Sequence, residues 1–137
     1  MQILIDAITT KLLDSNVYND VGGRAYYDTA DSDDLPRLVY SIVSGVPDNV
    51  FQKTGESVLI QFDLFSALSA GKTQITTMYA DLISLLDDCT LTITGKNCVL
   101  FQRQNTVTMV EDLSALQDGS SIVLHWIVDF ECTYQST

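Results

Sequence analysis

The chain has 137 residues, with 18 Asp and Glu against 7 Lys and Arg, 46% hydrophobic residues and 9% aromatics. That length suits one domain, and a hydrophobic share near the globular average of about 45–50% supplies a core, which excludes disorder along the whole chain. A formal net charge of −11 repels phosphate, so groove binding to nucleic acid by counterion release is excluded and adhesion to anionic lipid is disfavoured.

No window reaches the roughly 18 to 20 apolar residues that a membrane-spanning helix needs, so no membrane partner is expected. The opening Met1-Gln2-Ile3-Leu4-Ile5-Asp6 has no basic stretch and meets an acid after three apolar residues, which does not fit a signal peptide. Cys89, Cys98 and Cys132 are odd in number and lack C-x-x-C spacing. They make poor material for a disulfide framework or a zinc site, and three free thiols in a reducing compartment are expected.

Residues 3 to 14 place Leu4, Ile5, Ile8 and Leu12 at helical spacing, which predicts an amphipathic opening helix. Asp14-Ser15-Asn16 and Asn19 to Arg24 then read as turns, with Gly22 and Gly23 expected to fix a turn at positive φ. From Tyr26 to Leu35 the chain carries Asp28, Asp31, Asp33 and Asp34 and little to bury, which predicts a solvated acidic loop closed by Pro36. Arg37 to Val43 is β-branched and aromatic, a first strand with Leu38, Tyr40 and Ile42 on one side. Ser44 to Glu56 holds two glycines and Pro47 and is expected to be a long excursion.

Ser57 to Phe65 alternates Val58, Ile60, Phe62 and Leu64 against Leu59, Gln61, Asp63 and Phe65, a half-buried strand of the antiparallel kind. A second helix follows on Ile75, Met78, Tyr79, Leu82, Leu85 and Leu86, with Thr73 as its expected N-cap. Thr90 to Ile93 is short and strand-like. Beyond the Gly95-Lys96-Asn97 turn, Cys98 to Arg103 is a strand that residues 106 to 110 extend after a polar break at Gln104-Asn105. Glu111 to Ser120 reads as a loop, and Ile122 to Cys132 is the strongest strand. Its inward set is Ile122, Leu124, Trp126, Val128, Phe130 and Cys132, and Trp126 is therefore assigned to the core.

This order predicts a single α+β domain over residues 1–137: an antiparallel or mixed sheet of about four to five strands with two helices packed on one face. The other face still carries Leu59, Phe65, Val123, His125 and Ile127. That is more apolar area than a lone monomer leaves wet, so these five residues are the candidate subunit interface.

Motifs that carry chemistry are weak. Gly71-Lys72-Thr73 follows a strand and opens a helix, but position 66, where a phosphate loop needs glycine, is Ser. The Asp28 to Asp34 cluster lacks both the turn glycine and the closing Glu of a twelve-residue calcium loop. His125 is the sole histidine and sits on a strand among apolar neighbours, with no nucleophile motif to serve. Asp87-Asp88 and Glu111-Asp112 are adjacent in sequence and diverge on regular structure. No catalytic residue, cofactor or metal is nominated, and the chain is not expected to be an enzyme.

The succession of an N-terminal helix, Val21-Gly22-Gly23-Arg24-Ala25-Tyr26, Leu35-Pro36-Arg37-Leu38-Val39-Tyr40, a strand ending Phe62-Asp63-Leu64-Phe65-Ser66, a helix and a closing Trp126-Ile127-Val128-Asp129-Phe130 strand resembles the tail-terminator or tail-completion proteins of long-tailed bacteriophages. The resemblance implies a virion protein of the tail or neck, assembled in the bacterial cytoplasm as a ring, usually a hexamer. Such a ring ends the tail tube, meets the head connector and adaptor proteins, and lets DNA pass without specific binding. The acidic loop departs from the family's pattern, so its place is read from charge alone: Asp28, Asp31, Asp33 and Asp34, four carboxylates within seven residues with no Lys or Arg among them, line the lumen of such a ring or face the solvent outside it. A head-tail joining protein and a tail-tube subunit are the neighbouring readings, the latter resting on a hairpin that only Ser44 to Glu56 supplies.

Overall fold

The structure is a computed structural model, and it describes residues 2–31, 34–47, 55–112 and 122–136. Asp33, the middle of the predicted excursion and most of the predicted 111–120 loop lie outside the described residues. Among the described residues there are three α-helices: α1 (Gln2–Leu12), α2 (Asn16–Asp20) and α3 (Lys72–Leu86). The strands are β1 (Ala25–Tyr27), β2 (Arg37–Pro47), β3 (Gly55–Ala67), β4 (Lys96–Asp112) and β5 (Ile122–Ser136). They form one sheet in the order β1-β2-β3-β5-β4, with β1 parallel to β2 and every other pair antiparallel. This is the expected α+β class, with one helix more than the periodicity predicts.

Alternation builds the centre. Val58, Ile60, Phe62 and Leu64 of β3 are fully buried, as are Val128, Phe130 and Cys132 on the facing residues of β5. Leu4, Ile8 and Leu12 of α1 and Ile75, Met78, Leu82 and Leu86 of α3 close over that same face and join one core cluster. Burying a side chain of this size is worth about 1.5–3 kcal/mol, so the two apolar helix stripes and the inner sheet face account for most of the drive to fold.

Several local expectations are corrected. Asn16–Asp20 is a helix rather than a turn, because Ser15 caps it by accepting from the Tyr18 N–H and Val17 anchors it in the core. Residues 25–27 form a short strand at the head of the acidic stretch. The flanks of the predicted excursion are paired: Ser44 to Pro47 continues β2 against the start of β3, after a register shift between Ile42 and Ser44. Thr90 to Ile93 is irregular chain, from which Leu91 and Ile93 are plugged into the core. The polar break at Gln104-Asn105 is a bulge inside one 17-residue strand. Helix α3 starts at Lys72 with Gly71 as N-cap at φ 79° and no side-chain cap, so Thr73 does not serve. Trp126 is half-buried at the rim of the core, edge-on to Tyr79, and Ile122 is exposed.

The two glycine-containing and proline-containing motifs prove to be one unit. Gly22 and Gly23 have φ of 60° and 80°; the Gly22 N–H donates to the Asn19 carbonyl at 3.0 Å and that of Gly23 to the Tyr18 carbonyl at 2.9 Å. That pattern is a Schellman end to α2, which needs left-handed residues. The next residue, Arg24, donates from Nε to the Pro36 carbonyl at 2.8 Å and from Nη2 to the Leu35 carbonyl at 3.2 Å, across a cis Leu35-Pro36 bond. Its own carbonyl accepts from the Leu38 N–H at 2.9 Å, which starts the β1–β2 pairing.

Two outcomes are expected. A Cβ at Gly23 would lie 3.3 Å from the Tyr18 hydroxyl on a left-handed backbone, so Gly23→Val should lower stability by at least about 1 kcal/mol, read as a fall in the urea midpoint. Asp20, whose Oδ2 is buried without a hydrogen bond, has its carboxyl pushed up to about 6 by burial first and then by Asp81 on α3. The folded state therefore favours the protonated form, and stability is lost as pH rises from about 4 towards 6. Asp20→Asn should raise the urea midpoint at pH 7 and flatten its change between pH 4 and 6.

Candidate functional site

The sheet face away from the helices is built from the alternate residues of four strands. Register sets them in rows: Arg37, Phe65, His125 and Met109, then Val39, Asp63, Ile127 and Val107, then Ser41, Gln61, Asp129 and Asn105. Leu59 and Glu131 continue it one row further. Apolar and ionisable side chains thus share one surface, which turns wholly polar in the third row.

Its centre is an aromatic and ionic cluster. The Arg37 guanidinium carbon lies 4.4 Å from the centroid of the Phe65 ring, and the His125 ring stacks on Phe65 at 4.2 Å with the planes 20° apart. His125 Nδ1 is 2.9 Å from Glu111 Oε1 and its Nε2 is 3.0 Å from Asp63 Oδ1. Both Asp63 oxygens also accept from the Gln61 side-chain amide, at 3.1 and 3.2 Å. Burial, and then the charge of Asp63, holds the Asp129 carboxyl above the usual carboxylate range. Ser57 donates to Glu131 at 2.8 Å.

Of the five interface candidates, Leu59, Phe65, His125 and Ile127 lie half-buried on this face, while Val123 is 4% exposed and has little surface to offer. Sequence reasoning missed Arg37, Asp63 and Glu111 as the partners of Phe65 and His125. Asp63 and His125 do share the outward parity of their strands, which was the available signal. The acidic loop projects from the β1–β2 edge of the sheet: Asp28, Asp31 and Asp34 are exposed, and Asp28, at φ 68°, donates its N–H to the Tyr40 carbonyl. At the opposite edge, β4 exposes Val99, Val107, Met109 and Val110, and the β2–β3 ribbon exposes Val43 and Val46.

Other features fit ligands poorly. Ser66 is buried and donates to the Gln74 side chain at 2.6 Å, so the turn before α3 is filled where a phosphate loop would be open. Among the described residues, no group of three or more His, Cys, Asp and Glu side chains has the geometry to hold a metal ion. The three cysteines are free and gather at one end of the sheet; burial first and the neighbouring thiols next push the Cys132 thiol far up. A groove of about 590 Å³ runs between α1 and the 85–94 segment, walled by Ile3, Ala7, Thr10, Leu13, Leu91 and Thr94 among others.

No protein-family model matches the chain, and a search of curated proteins returns no match. Among solved structures, the fold is shared with a chain of the virion of a native gene transfer agent (GTA) particle, at a TM-score of 0.65 and 12% sequence identity, over 94% of this chain and 92% of that chain. At that identity the likeness establishes a common fold, a helix-backed mixed sheet with one open face.

Phe65 fills the space between Arg37 and His125. Phe65→Ala should cost about 2 kcal/mol, less than a fully buried phenylalanine because the residue is only half-buried. The check is the urea midpoint, with the far-ultraviolet spectrum unchanged.

Proposed function

We propose that this chain is a structural protein of a phage-like virion. In this reading, copies tile into a ring, a hexamer as the resemblance to tail terminators implies, at the head-proximal end of a tail. The ring ends the tail tube and joins it to the head connector proteins. The observation that carries the proposal is the fold shared over 94% of the chain with a chain of a gene transfer agent virion.

Physical features of the chain support it. A ring needs a patch on one subunit that meets a different patch on the next. The open sheet face with Phe65 and Ile127, and the helix-side flank of edge strand β4, where Val110 is exposed beside Leu124 and Trp126, are two such patches on one molecule. A net charge of −11 suits a collar through which DNA slides without being held. Asp28, Asp31 and Asp34, exposed on one loop, are the acids proposed to face that passage, together with Asp33. The role is assembly rather than catalysis, inside the host cell and then in the virion.

A tail-tube subunit is the second reading, favoured by one observation. The β2–β3 ribbon runs past β1, which pairs only with Leu38 to Tyr40, and carries exposed Val43 and Val46 on its far arm. Among the described residues this end of β2, beyond β1, is an open strand edge, which suits contact with a neighbour.

Light scattering on the purified chain, alone and with tail tubes, and imaging of particles carrying a tagged copy test the two readings. A single ring at the head-proximal end of the tube supports the terminator role, and label along the whole tube supports the tube subunit. A chain that stays monomeric with tubes present and is missing from the particle overturns both. Ile127→Asp, which replaces an apolar side chain of the open face with a second carboxylate beside Asp63, should weaken self-association at least tenfold, about 1.4 kcal/mol, with helix content retained.

A further inference from the structure

We infer that His125 carries a proton on both ring nitrogens at neutral pH and acts as a proton-dependent clasp that ties the end of β4 to β3 across β5. The argument begins with donors and acceptors. A neutral imidazole has one donor and one acceptor nitrogen, whereas an ionised carboxylate only accepts. Here both nitrogens meet carboxylate oxygens, Glu111 Oε1 at 2.9 Å and Asp63 Oδ1 at 3.0 Å. Either neutral tautomer sets a nitrogen lone pair against an oxygen lone pair at hydrogen-bond distance. The imidazolium satisfies both contacts with charge-assisted bonds.

The extra proton belongs to the ring rather than to either acid, since imidazole is the stronger base by about two pH units in ordinary surroundings. The groups facing the ring agree. Asp63 comes from β3, Glu111 from β4, and Asp129 lies further along β5 on the same face. The cation opposing them, Arg37 of β2, is held off by the intervening Phe65 ring. Phe65 also presents its π face to the imidazole, an arrangement that favours a cation. Burial works against the charge, and the two carboxylates outweigh it, so the ring titrates above its ordinary value.

The clasp sits where the sheet most needs one. Glu111 is the penultimate residue of β4, an edge strand with a neighbour on one side. Losing the proton turns one of the two contacts repulsive and frees that end of the strand. Because the folded value is raised, the stabilisation is complete below about pH 6.5 and is lost as pH rises through the folded value. The clasp belongs to the single chain and stands apart from any ring.

Nitrogen-resolved NMR of the full chain tests this without ambiguity, as His125 is the sole histidine. At pH 7 both ring nitrogens should give protonated-type shifts, with the titration midpoint above the pH of that measurement. Asp63→Asn and Glu111→Gln should each lower the midpoint by about one pH unit, a tenfold loss of proton affinity, and the double variant should lower it further. The melting-temperature gap between the parent and His125→Gln should narrow as pH rises. A single unprotonated ring nitrogen at pH 7, or a midpoint that neither carboxylate variant moves, overturns the clasp. The midpoint is read on the monomer, so failure of the chain to form rings leaves this outcome unaffected.

Discussion

Helices cover one face of this sheet, and the rest of the structure follows from that asymmetry. The inner residues of β3 and β5 are fully buried beneath α1 and α3, so the register of the central pair is fixed; a slip of one residue would send Ile60, Phe62 and Phe130 into water. Fixing the inner face also fixes the outer one, because the side chains alternate. Asp63, His125 and Glu111 therefore meet as a consequence of where Phe62, Leu64, Leu124 and Trp126 pack. An ionic cluster on the outer face is held in register by hydrophobic burial on the other.

How legible each part was in sequence depends on whether its signal is local. The alternation of Val58 to Leu64 and the stripe from Ile75 to Leu86 are repeated patterns, and both elements appear where those patterns place them. Helix α2 and strand β1, of five and three residues, are too short to show a period and exist through a cap, a Schellman turn and the Arg24 contacts. Thr90 to Ile93 shows strand-like alternation because two hydrophobic side chains are plugged into the core from irregular chain. Gln104-Asn105 looked like a break because an edge strand can carry polar residues through a bulge. At the candidate site, outward parity was readable for Phe65 and His125. The partners lie 62 and 14 residues from His125 in sequence, and strand pairing at that separation is set by the whole sheet.

The chain is strongly acidic, and it pairs part of that charge on the open face and leaves part of it exposed elsewhere. Like charges pressed together at an interface cost several kcal/mol, so a chain of net charge −11 that is to meet copies of itself needs its contact surface neutralised. The open face is partly of that character, its carboxylates Asp63, Glu111, Asp129 and Glu131 facing the two cations Arg37 and His125. Asp63 and Glu111 share His125, Gln61 covers both oxygens of Asp63, Glu131 takes a proton donor from Ser57, and Arg37 adds a cation over Phe65. Asp28, Asp31 and Asp34 stay exposed on the β1–β2 loop, where repulsion acts on solvent ions and on any polyanion nearby. The same division explains why the sole histidine sits at the middle of the face: one imidazolium offsets charge from two acids of different strands, and its stacked position on Phe65 costs the apolar surface nothing. Removing that proton would restore repulsion between Asp63 and Glu111 at the end of β4, so the charge state of one ring is tied to the pairing of the outer face within the single chain.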